Sequence, residues 1–407
     1  MGSARNYLVV TGAYWGFTLT DGALRMLVLL HFFALGYTPF QLASLFLLYE
    51  LAGIFANLGG GWLAARFGIT RMLSIGLGLQ IFGLLLLSAL SPGWSPGLSV
   101  AWVVMAQGVA GVAKDLTKTA SKSAIKATSD GGAGQLYRWV AWFTGSKNAM
   151  KGVGFFVGGL LLQAVGFRPA LWAMAAGLAL ALAGVLRFLP PLFGRSKSSR
   201  TFRELFAKDP AVNLLAAARV FMFGARDVWF VVGLPVFLYA HGWRFVEVSA
   251  FVAGWTIAYG GIQAVAPSLT ARSADGLSRE VPAARVWAFV LAVLPAAIAM
   301  CLWLGVSAKP DLLLVVGLSL FGIPFAVNSS LHSYLILAYA GSEKAAEDVG
   351  FYYAANAAGR LGGIILSGAL YQAGGIVLCL AGSAAMVAAC FAITLLLPTR
   401  SAAHASA

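Results

Sequence analysis

The chain alternates long apolar stretches with short polar breaks, and the elements follow from that pattern. Apolar runs of about 18 residues or more with few charges are long enough to cross a bilayer as helices. Twelve such spans are predicted, at 7–35, 39–66, 70–92, 98–122, 136–166, 169–190, 211–241, 245–272, 284–306, 310–340, 346–374 and 375–398. The breaks have turn chemistry of their own. Thr38-Pro39 reads as a cap followed by a first-turn proline, and Ser91-Pro92-Gly93 and Ser129-Asp130-Gly131-Gly132 read as turns. The long polar segment at 191–210 is predicted to be a cytoplasmic linker between an N-terminal six-helix half (1–190) and a C-terminal one (211–407).

Composition agrees with the pattern. At 60% hydrophobic and 10% charged residues, with a mean hydropathy of +0.84, the 407-residue chain is no soluble domain. It reads as an all-α polytopic membrane protein. In a soluble protein a net charge of +14 would suggest nucleic acid. Here much of the excess follows the positive-inside bias and the rest lies in the helices themselves, so no nucleic-acid partner is expected. With both termini cytoplasmic, the inner side holds Arg66, Arg71, Arg195, Lys197, Arg200, Arg203 and Lys208 among others, and the outer side only Arg168, Arg244 and Lys309. No cleavable signal peptide is expected, because the first apolar stretch runs on through Asp21 and Arg25. Cys301, Cys379 and Cys390 read as small core residues. The sequence shows no nucleotide-binding loop, metal spacing or catalytic triad, so neither an enzyme nor a cofactor is predicted.

The two halves are weakly alike. Asp21, Gly36, Asn57 and Arg66 align with Asp227, Gly242, Gln263 and Arg272 at one constant offset. The run K-G-V-G-F-F-V-G-G-L-L-L-Q-A from Lys151 aligns without a gap with R-L-G-G-I-I-L-S-G-A-L-Y-Q-A from Arg360. Two six-helix halves related by a pseudo-twofold axis are the major-facilitator architecture. Residues 61–71, G-W-L-A-A-R-F-G-I-T-R, resemble that superfamily's signature through Gly61, Leu63, Arg66, Phe67 and Gly68, although Ala65 stands where an acid is usual.

Charges deep in the spans are the candidate chemistry. Lys114, Lys118 and Lys122 recur at helical spacing on one face, and Lys147 and Lys151 do the same beside Asn148. A cation at mid-bilayer costs about 2.5–3.5 kcal/mol even on a lenient scale. The deep cations are Arg25, Lys114, Lys118, Lys147, Lys151, Arg219, Arg226 and Arg360, against the acids Asp21, Glu50, Asp115 and Asp227. The bland account is ion pairing: Asp21 with Arg25 at i, i+4, and Asp115 with Lys114 or Lys118. Lys118 and Lys122 can also snorkel from the cytoplasmic end. Arg226 and Asp227, as neighbours in sequence, are expected to face different ways. About half of the cations then lack an anion, and a substrate with two or more negative charges would supply it. Alternating access would place that ligand near the midplane, with Lys151 and Arg360 approaching from opposite halves. Asn328 and His332 lie mid-span. For His332 a hydrogen-bonded structural role is the alternative to a ligand or proton role. Gly152, Gly154, Gly158 and Gly159 read as close-packing positions. Trp139 and Trp142 flank the second lysine group and face either cavity or lipid.

The first span from Tyr7, with Asp21-Gly-Ala-Leu-Arg25, the stretch K-D-L-T-K…S-K-S and T-G-S-K-N-A-M-K-G-V-G-F-F resemble the organoarsenical-efflux branch of the major facilitators, the ArsJ type. The likeness runs over most of the chain. It implies a bacterial cytoplasmic-membrane antiporter that exports 1-arseno-3-phosphoglycerate and so confers arsenate resistance. It also implies a functional link to glyceraldehyde-3-phosphate dehydrogenase, which makes the adduct. An organophosphate:phosphate exchanger would present much the same site. With no nucleotide-binding domain visible, energy would come from a gradient, with Asp21, Asp227, Asp115 and Glu50 as candidate proton carriers. Asp227, lacking an i+4 cation, is the expected easier acceptor of a proton.

Overall fold

The computed structural model describes residues 2–128, 133–190, 209–269, 273, 277–339 and 345–399. All regular structure among them is helical. Predicted span 1 is helix α1 (Gly2–Ala34), and span 2 is split at Leu45-Phe46 into α2 (Pro39–Ser44) and α3 (Leu47–Phe67). Spans 3 to 6 are α4 (Ile69–Ser88), α5 (Pro96–Thr128), α6 (Ala133–Val165) and α7 (Phe167–Phe188). Span 7 is split at Val231-Val232 into α8 (Pro210–Phe230) and α9 (Gly233–Ala240). Spans 8 to 10 are α10 (Phe245–Leu269), α11 (Glu280–Trp303) and α12 (Pro310–Tyr339). Spans 11 and 12 form one long helix, α13 (Ala345–Leu395), broken at Gly374 and Gly375, where the boundary is predicted.

Backbone amides freed inside a membrane need partners. At the break in span 7, Ser367 Oγ of α13 accepts from the amides of Val232 (3.3 Å) and Gly233 (3.1 Å). The surface is apolar where lipid would lie: Leu180, Trp303, Phe55 and Leu337 are all more than 60% exposed.

Packing divides the chain into two compact units. One comprises Met1–Tyr37, Ser44–Phe202 and Arg244–Ile257; the other comprises Thr38–Ala43, Arg203–Trp243 and Ala258–Ala407. Relative to a division at the linker, two short segments are exchanged. The cause lies in two equivalent contacts. In the first unit the start of α10 packs on Gly159 of α6, and Gln163 Oε1 accepts from Val246 N at 3.4 Å. In the second unit α2 packs on Gly368 of α13, and Gln372 Oε1 accepts from Phe40 N at 3.3 Å.

These contacts repeat at the offsets read from the sequence, as does much else. Thr38 and Gln41 form a reciprocal capping box (2.9 and 3.3 Å), and at the same offset Glu247 caps the amide of Arg244 (2.8 Å). Gly36 and Gly242 close the preceding turns with φ of 86° and 88°, a conformation disfavoured for side chains with a Cβ. The pairing of α1 with α6 recurs as α8 with α13. There Gly154 lies against Leu19 O and Gly363 against Gly224 O, where an added Cβ would collide with backbone. Such small-residue contacts are what hold helices together once lipid removes the hydrophobic drive.

Candidate substrate-binding sites

In the first unit, α1 carries Asp21 and Arg25 one turn apart, as helical geometry dictates. The expected pair does not form. Arg25 Nη2 instead donates to Glu50 Oε1 at 2.5 Å, on α3, where the two buried groups are matched in charge. Asp21 Oδ1 accepts from Tyr49 Oη, also at 2.5 Å. The reason is reach: the long arginine stem extends to α3, while the short aspartate stays near the helix and meets the adjacent tyrosine. From α5, Lys114 lies 4.0 Å from Glu50 and 3.8 Å from Asp115, and Lys118 lies 3.5 Å from Asp115. Lys114 Nζ also sits 3.9 Å from the centre of the Tyr49 ring, a cation–π contact. Among the described residues three cations, Arg25, Lys114 and Lys118, and three carboxylates, Asp21, Glu50 and Asp115, thus share one network.

Lys147, Asn148 and Lys151 of α6 are half-buried. Lys151 Nζ lies 5.8 Å from the centre of the Phe155 ring, and its carbonyl packs against Gly22, the residue after Asp21. Ser146, one position before Lys147, accepts from Trp15 Nε1 at 2.9 Å. The side chains of Lys122, Arg66, Trp139 and Trp142 lie outside the described residues.

In the second unit, Asp227 of α8 is fully buried. It accepts from Arg226 Nε at 2.6 Å and from Arg360 Nε, reaching over from α13, at 3.1 Å. Two expectations fall here. Arg226 does pair with its neighbour, because its stem is long enough to fold back across the roughly 100° between consecutive helical positions. Asp227 does not lack a cation, so the reason for preferring it to Asp21 as proton carrier is gone. Both guanidiniums remain partly accessible, 13% and 17% by side chain, while the carboxylate they share is sealed.

Two turns earlier on the same helix, Arg219 is buried with only neutral partners among the described residues. Nε donates to Asn356 Oδ1 (3.3 Å) of α13, and Nη1 donates to Ser329 O (3.2 Å) and Oγ (3.1 Å) of α12. Ser329 Oγ also meets Tyr259 Oη at 3.2 Å and Gln263 Nε2 at 3.4 Å from α10. Asn328 and His332, one turn apart on α12, are fully buried, and their side-chain nitrogens and oxygen have no hydrogen-bond partner among the described residues. The polar run at Asn328-Ser329 points to this cluster from sequence. Nothing in the sequence points to Tyr49 or Asn356, each of which acts on a charge carried by another helix.

No group of three or more metal-ligating side chains is found among the described residues. Cys379 and Cys390 are buried and unbridged, as core residues.

The family model of the Major Facilitator Superfamily matches residues 8–346, most of the chain. The chain belongs to the major facilitator superfamily. Among solved structures, this major facilitator is similar to a crystal structure of a point mutant of the nucleoside transporter NupG, at 13% identity and a TM-score of 0.71, covering 98% of this chain and 99% of that one. At that identity the likeness concerns the fold. No curated protein matches the sequence. The protein is thus a multi-pass membrane transporter with the twelve-span, twice-repeated fold of its superfamily.

Proposed function

We propose that this transporter exports a multiply charged organic anion, 1-arseno-3-phosphoglycerate, across the cytoplasmic membrane of a bacterium, with both termini inside, and so confers resistance to arsenate. The observation that carries the reading is the charge balance of the second unit. Among the described residues Arg226 and Arg360 share one carboxylate, Asp227, and the buried Arg219 is bonded only to the neutral groups of Asn356 and Ser329. An uncompensated cation in a low-dielectric interior costs several kcal/mol. An anionic ligand with fork-compatible oxygens offsets that cost, and phosphate-like groups suit arginine. Lys147 and Lys151 add cations in the first unit. The sequence resemblance to the organoarsenical-efflux branch supplies the identity of the anion.

Export would be driven by protons. Asp21 is the proposed carrier, since its described bond is to a neutral hydroxyl while Asp115, Glu50 and Asp227 are each beside a cation.

The test is arsenate resistance in cells lacking other arsenic exporters. The transporter together with glyceraldehyde-3-phosphate dehydrogenase should protect, and neither alone should. Protection by the transporter without dehydrogenase activity would mean direct export of an inorganic anion, and the reading would fail.

A further inference from the structure

Arg219 and Arg226 stand seven residues apart on α8, hence on one face. Both guanidiniums lie against the same ring. Their Cζ atoms are 4.0 Å and 5.0 Å from the centroid of Phe223, so the two cannot be further apart than the sum, 9.0 Å. The Arg226 end is joined by Arg360, the two guanidiniums both donating to Asp227. The Arg219 end has no carboxylate among the described residues. Its Nε and Nη1 are occupied by Asn356 and Ser329, while Nη2 makes no hydrogen bond among those residues. Asn328 and His332 flank Ser329, which Arg219 bonds, within one turn of α12, and they bring fully buried polar atoms with no hydrogen-bond partner among the described residues. Buried polar groups are ordinarily satisfied, so such a cluster around an unneutralised cation marks a place for a polar, negatively charged group. Two guanidinium ends on one helix face, lying against one aromatic ring, form a pair of anion subsites no more than 9.0 Å apart.

We propose that Arg219, with Asn328 and His332, is the second anchor of a two-headed anion whose other end is held by Arg226 and Arg360, so that this unit selects ligands by the separation of their two charged groups. Six single bonds between two phosphorus-like centres, as on a three-carbon chain esterified at both ends, span about 7 Å when extended. Guanidiniums at most 9.0 Å apart can each meet one end of a ligand of that length when it lies alongside the pair, the oxygens being met from the side. Phe223 supplies an apolar surface for the short carbon chain. The inference rests on the anion-export reading and adds to it which residue recognises the distal charge.

The experiment uses the purified full-length protein in detergent and isothermal titration with stable probes: propane-1,3-diol bisphosphate, its two-carbon and five-carbon analogues, and singly charged-headed propyl phosphate. The wild type should bind the three-carbon bisphosphate about tenfold or more tightly than propyl phosphate, the scale of one added charge-assisted contact. It should also prefer it to the shorter and longer analogues. Arg219→Gln should bring the bisphosphate down to the affinity of propyl phosphate. Arg219→Lys, which keeps the charge and guards against a misfolded glutamine variant, should retain part of the preference. A full preference surviving in Arg219→Gln overturns the proposal. So does a wild type that binds both probes equally, which would leave the anion-export reading standing. A wild type that binds neither probe overturns both.

Discussion

Asp21 and Asp227 occupy equivalent positions in the two repeats, yet replacing each with asparagine should have very different consequences. Asp227 is fully buried between two guanidiniums, at 2.6 Å and 3.1 Å. Asp227→Asn keeps the shape and removes the charge, leaving Arg226 and Arg360 pressed together around a neutral amide that also presents donors to donors. Removing one partner from a buried ion pair costs about 3–5 kcal/mol, and here two cations lose the same partner, so the upper part of that range is expected. Asp21 accepts from the Tyr49 hydroxyl, and an asparagine oxygen still can. That exchange weakens a charge-assisted bond to a neutral one, a loss of about 1 kcal/mol. The gap between the two variants is therefore at least about 2 kcal/mol, some thirtyfold in an equilibrium constant. It can be read from apparent unfolding free energies of the purified proteins in mixed micelles titrated with dodecyl sulfate, followed by helical ellipticity. Adding Arg360→Gln to Asp227→Asn should recover much of the loss, because one surplus cation leaves with the carboxylate. Equal costs for the two asparagine variants, or no recovery in the double variant, would refute the account of Asp227 as a shared counter-ion.

Other outcomes follow from the same geometry. Gly154→Ala should destabilise by about 1–3 kcal/mol, as overpacking does, since its methyl would strike Leu19 O. Gly12→Ala, with open space around it, should leave the same micelle titration unchanged. Lys151→Ala and Arg360→Ala should each abolish efflux while the protein still reaches the membrane, with Lys151→Arg less impaired and Lys122→Ala near wild type. Losing one charged partner of a bound anion costs about 2–5 kcal/mol, more than tenfold in affinity. Efflux at wild-type rates from cells bearing either alanine variant would place the anion elsewhere. In everted vesicles, transport should follow an imposed pH gradient and lose that dependence in Asp21→Asn. Transport that ignores the gradient but requires phosphate on the opposite side would make the protein an exchanger.

The spans, the repeat and the presence of buried charge were legible in the sequence because each is a local or periodic property. A membrane demands about 20 apolar residues per crossing whatever their neighbours, and the break at Gly374-Gly375 falls at the boundary between two such spans. The repeat survived in the positions where backbone meets backbone, Gly154 and Gly363, and in the caps at Thr38 and Arg244. Partner choice was not legible. Helical spacing puts Asp21 and Arg25 on one face, but it says nothing of Glu50 and Tyr49 on the next helix, which take them separately. Consecutive positions diverge on a helix, but a long arginine stem can undo that, as Arg226 does, once Arg360 arrives from another helix to share the carboxylate. That Arg219 meets no carboxylate among the described residues is likewise a property of what surrounds it: Asn356 and Ser329 come from two other helices, and both are neutral. Which charges cancel depends on distances of a few ångströms between helices, and only the tertiary packing sets those.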